Sequence, residues 1–455
     1  MNKDTLIGIV LMALVVIAFS WWNQPSAEEV EAMRQQDSIA AVMQENAKQQ
    51  AETARKAEAA AAAEAKGDSS ALFFGALCGT GTDVVLRNDK VELTFSTKGG
   101  TLTKAVVKNF KDKDGNPDVT LFDGKDQQMN FLLSGKTENI MTQDLFFTPS
   151  NISDTTVTMT AQANNGGSLV LDYSLGPDNL LHFSLQATGM SGIFAPTYKE
   201  MDIEWADHTR QQEKGYYFEN RYTGLFYKEA HDGSTDNLSE TSDKTETIEE
   251  TLDWVAFRNQ FFSIAFISKD NFAGGSTLSS VQDQKDSGYL KQFNAKLKTA
   301  FDPTGQKPSE FEMFVGPNDF RLIQDVEKQS LFGKELDLEQ LVNLGWWLFR
   351  IINRWFTLYV FDWLASWGFS MGVVLILITL ILKAITFPMV KKSYLSSAKM
   401  RVLKPKLEEA TREYDKPEDQ MKKQQAMMQM YSQYGVSPLS GCLPMLIQMP
   451  IWIAM

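Results

Sequence analysis

Residues that usually carry covalent chemistry are scarce in this chain. Of 455 residues, two are cysteine and three are histidine. Cys78 and Cys442 give no disulfide framework, and with one near a membrane and the other in a soluble domain on its far side they cannot pair. His182, His208 and His231 show no HExxH-like spacing, so hydrolytic zinc chemistry is set aside and no cofactor or metal is expected. Positive charge is also short: 44 Lys and Arg face 57 Asp and Glu, a net of −13. Phosphate contacts need a basic surface, which excludes a direct nucleic-acid binder. A GTGTD run at Gly79 is not followed by a strand-to-helix pattern and does not read as a nucleotide loop.

What the chain does have is a long greasy stretch. Met371 to Val390 is almost wholly apolar, with a single charge at Lys383. About twenty helical residues reach ~30 Å, the thickness of a hydrocarbon core, so this stretch is expected to cross a membrane. A cation inside it costs roughly 2.5–3.5 kcal/mol on insertion scales. Two fates are open to Lys383: its stem snorkels towards Lys391, about 12 Å along the helix, or the charge faces a wet cavity. Thr379 and Thr386 share its helical face, at spacings of four and three. That polar stripe favours an inward-facing charge.

Along the chain, Thr5 to Trp22 is an apolar run closed by two indoles, without a small-x-small cleavage site. It reads as an uncleaved signal anchor with a cytoplasmic amino terminus. An Ala/Glu/Gln-rich spacer with no sustained a/d seam follows to residue 71. From Leu72 to Phe314 the rhythm is period two: Val91, Leu93, Phe95; Val157, Met159, Ala161; Leu169, Leu171, Tyr173, Leu175; Leu181, Phe183, Leu185, Ala187. With turn residues between them and no helical stretch, these predict an antiparallel sandwich. It serves either as a scaffold or docking domain, or binds sugar through exposed aromatics or acids.

Beyond Leu331, Leu338, Leu341, Val342, Trp346, Phe349 and Ile352 recur at helical spacing among crowded tryptophans. The expected element is an amphipathic helix lying on the membrane surface or, alternatively, an ordinary helix packed against a domain. After Pro388, the seam Met400, Leu403, Leu407, Ala410, Tyr414 precedes a DKPED turn and a second helical stretch. That is an antiparallel hairpin. Between Lys391 and Ser437 ten Lys and Arg face six Asp and Glu, so this part is +4, the rest of the chain is −17, and the hairpin reads as cytoplasmic. Met400, Met421, Met427, Met428 and Met430 offer either a flexible contact surface that recruits a partner or packing for the hairpin seam. SPLSGCLPMLIQMPIWIAM then opens another apolar run bearing Gln448 and ends within it at Met455, so a partial chain is expected, truncated within a third transmembrane helix.

SPLSGCLPMLIQMPIWIAM resembles the NPL-x-G-C-x-P-x-L-I-Q-x-P pattern of the YidC/Oxa/Alb family of membrane-protein insertases. AKMRVLKPKLEE resembles the start of that family's cytoplasmic hairpin, and WGFSMGVVLILITLILKAITFP its first conserved core helix. Signal anchor followed by a large periplasmic sandwich is the arrangement of its Gram-negative bacterial branch. The resemblance implies no covalent catalysis and a water-filled groove, open to cytoplasm and lipid, that takes polar segments of nascent membrane proteins partway across. The family's groove carries a basic residue, usually arginine. Lys383 stands at the matching position, and lysine lacks the forked donors of arginine. Thr379, Thr386 and Gln448 would line the same groove. The Sec translocon, and possible contact with the ribosome, enter as implied partners alongside the lipid bilayer of the inner membrane.

The expected fold is thus a multi-pass α-helical membrane protein with a large periplasmic all-β sandwich domain and a cytoplasmic antiparallel helical hairpin. Its parts are a signal anchor (1–24), spacer (25–71), sandwich (72–328), interfacial helix region (329–367), Lys383 helix (368–390), hairpin (391–437) and the start of a third span (438–455). The rivals are a membrane-anchored periplasmic carbohydrate-binding protein and a transporter or channel subunit.

Overall fold

A computed structural model describes residues 71–345, 347–411, 420–434 and 443–454. The signal anchor and most of the spacer lie outside them. The described chain forms two compact units, one ending at Leu341 and the other beginning at Val342.

The first unit is an antiparallel β-sandwich. Asp83–Arg87, Val91–Ser96, Thr101–Lys111 and Pro117–Asp123 form a four-stranded sheet in sequence order. A fifteen-stranded sheet runs through Gln127–Ser134, Glu200–Arg210, Tyr289–Ala300, Phe262–Phe272, Ser309–Pro317, Leu180–Thr188 and Ser168–Leu175. Alternation does set the faces: Val91, Leu93 and Phe95 point into the core at 0 % exposure, and the other alternating series are buried with them. Aromatic rings pack within the larger sheet: Trp205 stacks on Phe257 at 3.8 Å, and Phe183 stacks on Phe311, its register partner on the neighbouring strand, at 5.1 Å. A short helix α1 spans Phe74–Leu77.

Two departures from period two matter below. Tyr216–Arg221 forms a helix, α2, between strands, where no helical stretch was expected. Leu252–Arg258 is buried on both faces, so its side chains show no alternation. Its second face is covered by the segment that leaves the sandwich. That segment begins with helix α3, Phe320–Glu327, capped by the Asp319 carboxylate, which accepts from the Arg321 and Leu322 amides. It continues as irregular chain with a 3₁₀ turn at Leu338–Leu341, and Leu336, Leu338 and Leu341 are each fully buried.

This corrects the helical reading of Leu338, Leu341 and Val342. The leucines are spaced as on a helix, but they plug the sandwich instead. Helix α4 begins only at Trp347 and runs to Ile352, after Gly345 at φ 81°.

In the second unit a π-helical turn, Asn353–Thr357, joins α4 to α5, Leu358–Ala365. Gly368, at φ 77°, closes that helix in the left-handed conformation glycine adopts without strain. Trp355, Trp363 and Trp367 are all exposed, the last two packed edge-on at 4.7 Å.

Helix α6 runs unbroken from Met371 to Thr411, through Pro388 and Pro405. The boundary drawn at Val390 therefore falls inside one continuous helix. It is the one described helix long and apolar enough to cross a membrane. α7, Gln420–Gln433, touches it through the following Tyr434, whose ring lies 5.5 Å from Lys406 Nζ. α8, Leu443–Ala454, contributes Ile451 to a small core of Leu364, Val374, Ile378 and Leu382.

Candidate functional site

The inward face of α6 is set by Val374, Ile378, Leu382 and Thr386, four residues apart and all buried. Thr386 thus belongs to the packed face, and its Oγ1 donates to Leu382 O at 2.8 Å. Thr379 is half-buried, and its hydroxyl likewise donates to Leu375 O at 2.8 Å. Each threonine satisfies its own donor against the preceding turn, as is common in apolar helices. Lys383 lies off this face. It is exposed, with Ile376, Leu380 and Phe387 at 62, 56 and 62 % exposure on the same side, and has no ion pair among the described residues. The three-residue stripe is therefore split: the lysine points out among apolar side chains and Thr386 points in. Gln448 is half-buried on α8. Of the methionines, Met421 and Met428 are exposed, at 82 and 60 %, while Met400, Met427 and Met430 are half-buried.

The sandwich holds two polar constellations that alternation does not announce. In the first, the departing segment is clamped onto the sheet. Glu312, fully buried, accepts from His182 Nδ1 at 3.1 Å, Ser330 Oγ at 2.7 Å and Leu331 N at 2.7 Å. Glu327 accepts from the Leu336 and Asp337 amides at 2.6 and 2.8 Å, and burial raises its pKa. Lys228, nearly buried, bonds Asp337 at 3.0 Å and the Glu335 carbonyl. Trp254 Nε1 donates to Leu336 O at 2.7 Å. Arg258 donates to Leu341 O at 3.2 Å and pairs with Glu240 at 2.6 Å; burial pulls its pKa down to about 10, against the opposing pull of Glu240. The sequence signal for this clamp is cations at inward or doubly covered strand positions, Lys228 and Arg258.

The second constellation lies on the open face of the larger sheet, over a cleft of about 590 Å³ whose lining includes Asn130, Glu204, His208, Asn294 and Lys296. His208 pairs with Asp283 at 2.6 Å and stacks on Tyr289. Asp126 accepts from Arg210 at 2.5 Å and from Tyr289 at 2.9 Å. Beneath it, Asp207 is buried; Thr209 donates to one oxygen at 2.6 Å and the other has no partner. Desolvation pushes its pKa up to about 7. Among the described residues no group of three or more His, Cys, Asp or Glu is placed to hold a metal.

A family model described as the YidC periplasmic domain matches residues 83–359, and one described as the 60Kd inner membrane protein matches 363–455. A curated relative from Phocaeicola vulgatus, called membrane protein insertase YidC, is 47 % identical over the whole chain, which covers 73 % of that relative. The chain belongs to the YidC family of membrane protein insertases. Relatives of the same description from Bacteroides fragilis and Porphyromonas gingivalis are 44 and 34 % identical across the whole chain, covering 73 and 74 % of their lengths. Among solved structures, an active YidC insertase with its first transmembrane domain resolved gives a TM-score of 0.30 at 18 % identity, covering 83 % of this chain and 71 % of that one. A galactose mutarotase related enzyme from Lactobacillus acidophilus gives 0.34 at 11 %, covering 51 and 97 %.

Family membership makes this a membrane protein and favours insertion over the carbohydrate-binding and transporter readings. In this YidC-family chain the two matched regions meet at residues 360–362, inside α5, whereas the compact units divide at Leu341. The clamped segment therefore belongs physically to the sandwich, and the rest of the periplasmic-domain match reaches into the helical unit.

Proposed function

We infer that the chain inserts, folds and helps assemble integral membrane proteins of the bacterial inner membrane, alone or with the Sec translocon, without a covalent step of its own. The observation that carries this is Lys383: one cation on the exposed side of an apolar helix long enough to span a bilayer. A lysine among Ile376, Leu380 and Phe387 is costly in hydrocarbon and stable beside water, so it marks a wet path through the bilayer. A hydrophilic substrate segment follows that path partway, held by the ammonium charge. Its apolar neighbour leaves sideways into lipid, driven by burial of its own surface. Neither nucleotide nor metal is needed for that exchange.

Thr379 and Gln448 give the groove its remaining polar surface, and Thr386 fixes the packed side of α6. The 391–437 region faces the cytoplasm, and Met421 and Met428 present the contact surface that recruits nascent chains and the ribosome. The sandwich is periplasmic. The decisive experiment is complementation in a depletion strain with insertion of small membrane proteins as readout: Lys383→Ala impairs insertion and Lys383→Arg restores it. Normal insertion of a full substrate panel by Lys383→Ala sinks the role given to this lysine. Photo-crosslinking from position 383 to a stalled nascent chain reads the contact directly.

A further inference from the structure

One end of the sandwich gathers uncovered aromatic rings. Tyr217 and Phe218 on α2 are 73 and 59 % exposed, Phe261 in the turn before Phe262–Phe272 is 47 %, and Phe110 near the end of Thr101–Lys111 is 41 %. They belong to one neighbourhood. Phe110 packs edge-on against Phe262 at 5.5 Å, and Asn259, at the head of the same turn, donates to Glu219 of α2 at 3.5 Å. The chain leaves the sandwich at this end: Arg258 donates to Leu341 O and to Tyr222 O, each at 3.2 Å, so the exit and the residue after α2 share one guanidinium. Only residues 342–346 separate Leu341 from α4, and an extended chain of that length spans at most about 20 Å. The rings therefore sit beside the tether to the membrane-spanning part of the protein.

Charge around the rings is nearly balanced: exposed Lys111, Lys214, Arg221 and Lys285 and half-buried Lys113, with Lys285 Nζ 5.2 Å from the Tyr217 ring, against exposed Asp114 and Asp286 and half-buried Asp112 and Glu213. Phe and Tyr interleaved with Lys and Arg, without a strong net charge, match the headgroup layer of a bilayer, where rings bury their apolar edges and cations meet phosphate. The opposite end differs. The strand Gln127–Ser134 runs antiparallel to Glu200–Arg210, which puts exposed Lys136 and Thr137 at the far side from Arg210, with no large exposed apolar residue beside them.

We propose that the rim of Phe110, Tyr217, Phe218 and Phe261 is a lipid-contacting surface that rests the sandwich on the headgroups of the bilayer to which the protein is anchored. The contact rests on ring insertion, so it persists in zwitterionic lipid and at high salt.

The test uses the full chain in phosphatidylcholine vesicles, in a Cys78→Ser, Cys442→Ser background, with a nitroxide at Lys214→Cys beside the intact rings. Controls are Thr137→Cys at the opposite end and Leu375→Cys on α6. Lipid contact predicts a several-fold drop in accessibility of the 214 label to a water-soluble nickel chelate on moving from detergent to vesicles, with none at 137. Adding Tyr217→Ser, Phe218→Ser and Phe261→Ser restores the accessibility at 214. The proposal is overturned if 214 stays as accessible as 137 while the 375 label is in lipid, an outcome that leaves the insertase reading intact. Protection at 214 that survives the triple serine variant also overturns it.

Discussion

Among Ile376, Leu380 and Phe387, the Lys383 ammonium either snorkels along its stem to the interface or meets water within the span. The two fates separate in a variant that keeps charge and shortens reach. Replacing lysine by the one-carbon-shorter ornithine leaves groove function largely intact but weakens snorkelling, which needs the full stem. At Asp207 the folded state holds a proton that the unfolded chain releases near its ordinary value, because burial raises the pKa to about 7. Glu219, buried on α2, is raised to about 7 in the same way, against amides of Gln212 and Glu213 that hold it down. Raised acids stabilise fully below their unfolded pKa and lose that contribution as pH rises to about 7. Lys291, fully buried with its pKa pulled down to about 8, does the opposite above that point: stability returns as pH climbs from about 8 towards the ordinary lysine value. Between pH 5 and 10 these three groups together therefore contribute least to the sandwich's stability at about pH 7–8. Hydrogen exchange on Glu200–Arg210 amides across pH 5–10 reads this, and Asp207→Asn flattens the acid limb by a few kcal/mol. An unchanged slope in that variant removes Asp207 from the account.

At the scale of elements, the clamp explains why chain 328–341 is ordered without regular structure. Arg258→Met removes the guanidinium that holds Leu341 O and leaves Glu240 unpaired, a loss on the order of 3 kcal/mol for a mostly buried pair. Glu240→Gln leaves the Arg258 guanidinium and its bond to Leu341 O in place, so its cost falls on the ion pair and not on the clamped segment. Exchange protection at 331–341 falls more steeply in the first variant; equal effects contradict the clamp. Sequence periodicity found the alternating strands because half their residues face water. It failed at Leu252–Arg258 and at Leu338 and Leu341 because both are covered on every side, and burial on two faces erases the period. Lys383 was legible as a costly residue. Its splitting from Thr386 was not, because three residues within about a sixth of a helical turn can still fall on either side of a packing edge.

The whole molecule joins two units of different solvents. A sandwich with its own aromatic core unfolds in urea in a transition separate from the helical unit, whose small described core of Leu364, Val374, Ile378 and Leu382 is completed by lipid. Far-ultraviolet and Trp205-dependent fluorescence transitions that coincide at every lipid composition argue against that separation. Topology has an equally direct reading. Cys78 is exposed and unpaired, so a membrane-impermeant maleimide labels it in intact spheroplasts of a Cys442→Ser strain if the sandwich is periplasmic. The fold class was visible in the chain because strand alternation and one apolar run persist over long stretches; the partition at Leu341 was not, because it depends on which unit the leucines enter.

α6 is 41 residues long without a break. At about 1.5 Å per residue it is a rod of ~60 Å, and roughly half lies beyond Val390. With the bilayer surface near Val390, as we propose, such a rod held as one piece would act as a lever: a tilt of about 10° would carry the tip of its outer arm some 5 Å and move the far end of the other arm by a similar distance the other way. A load arriving on the outer arm is thereby transmitted to Lys383 as a displacement.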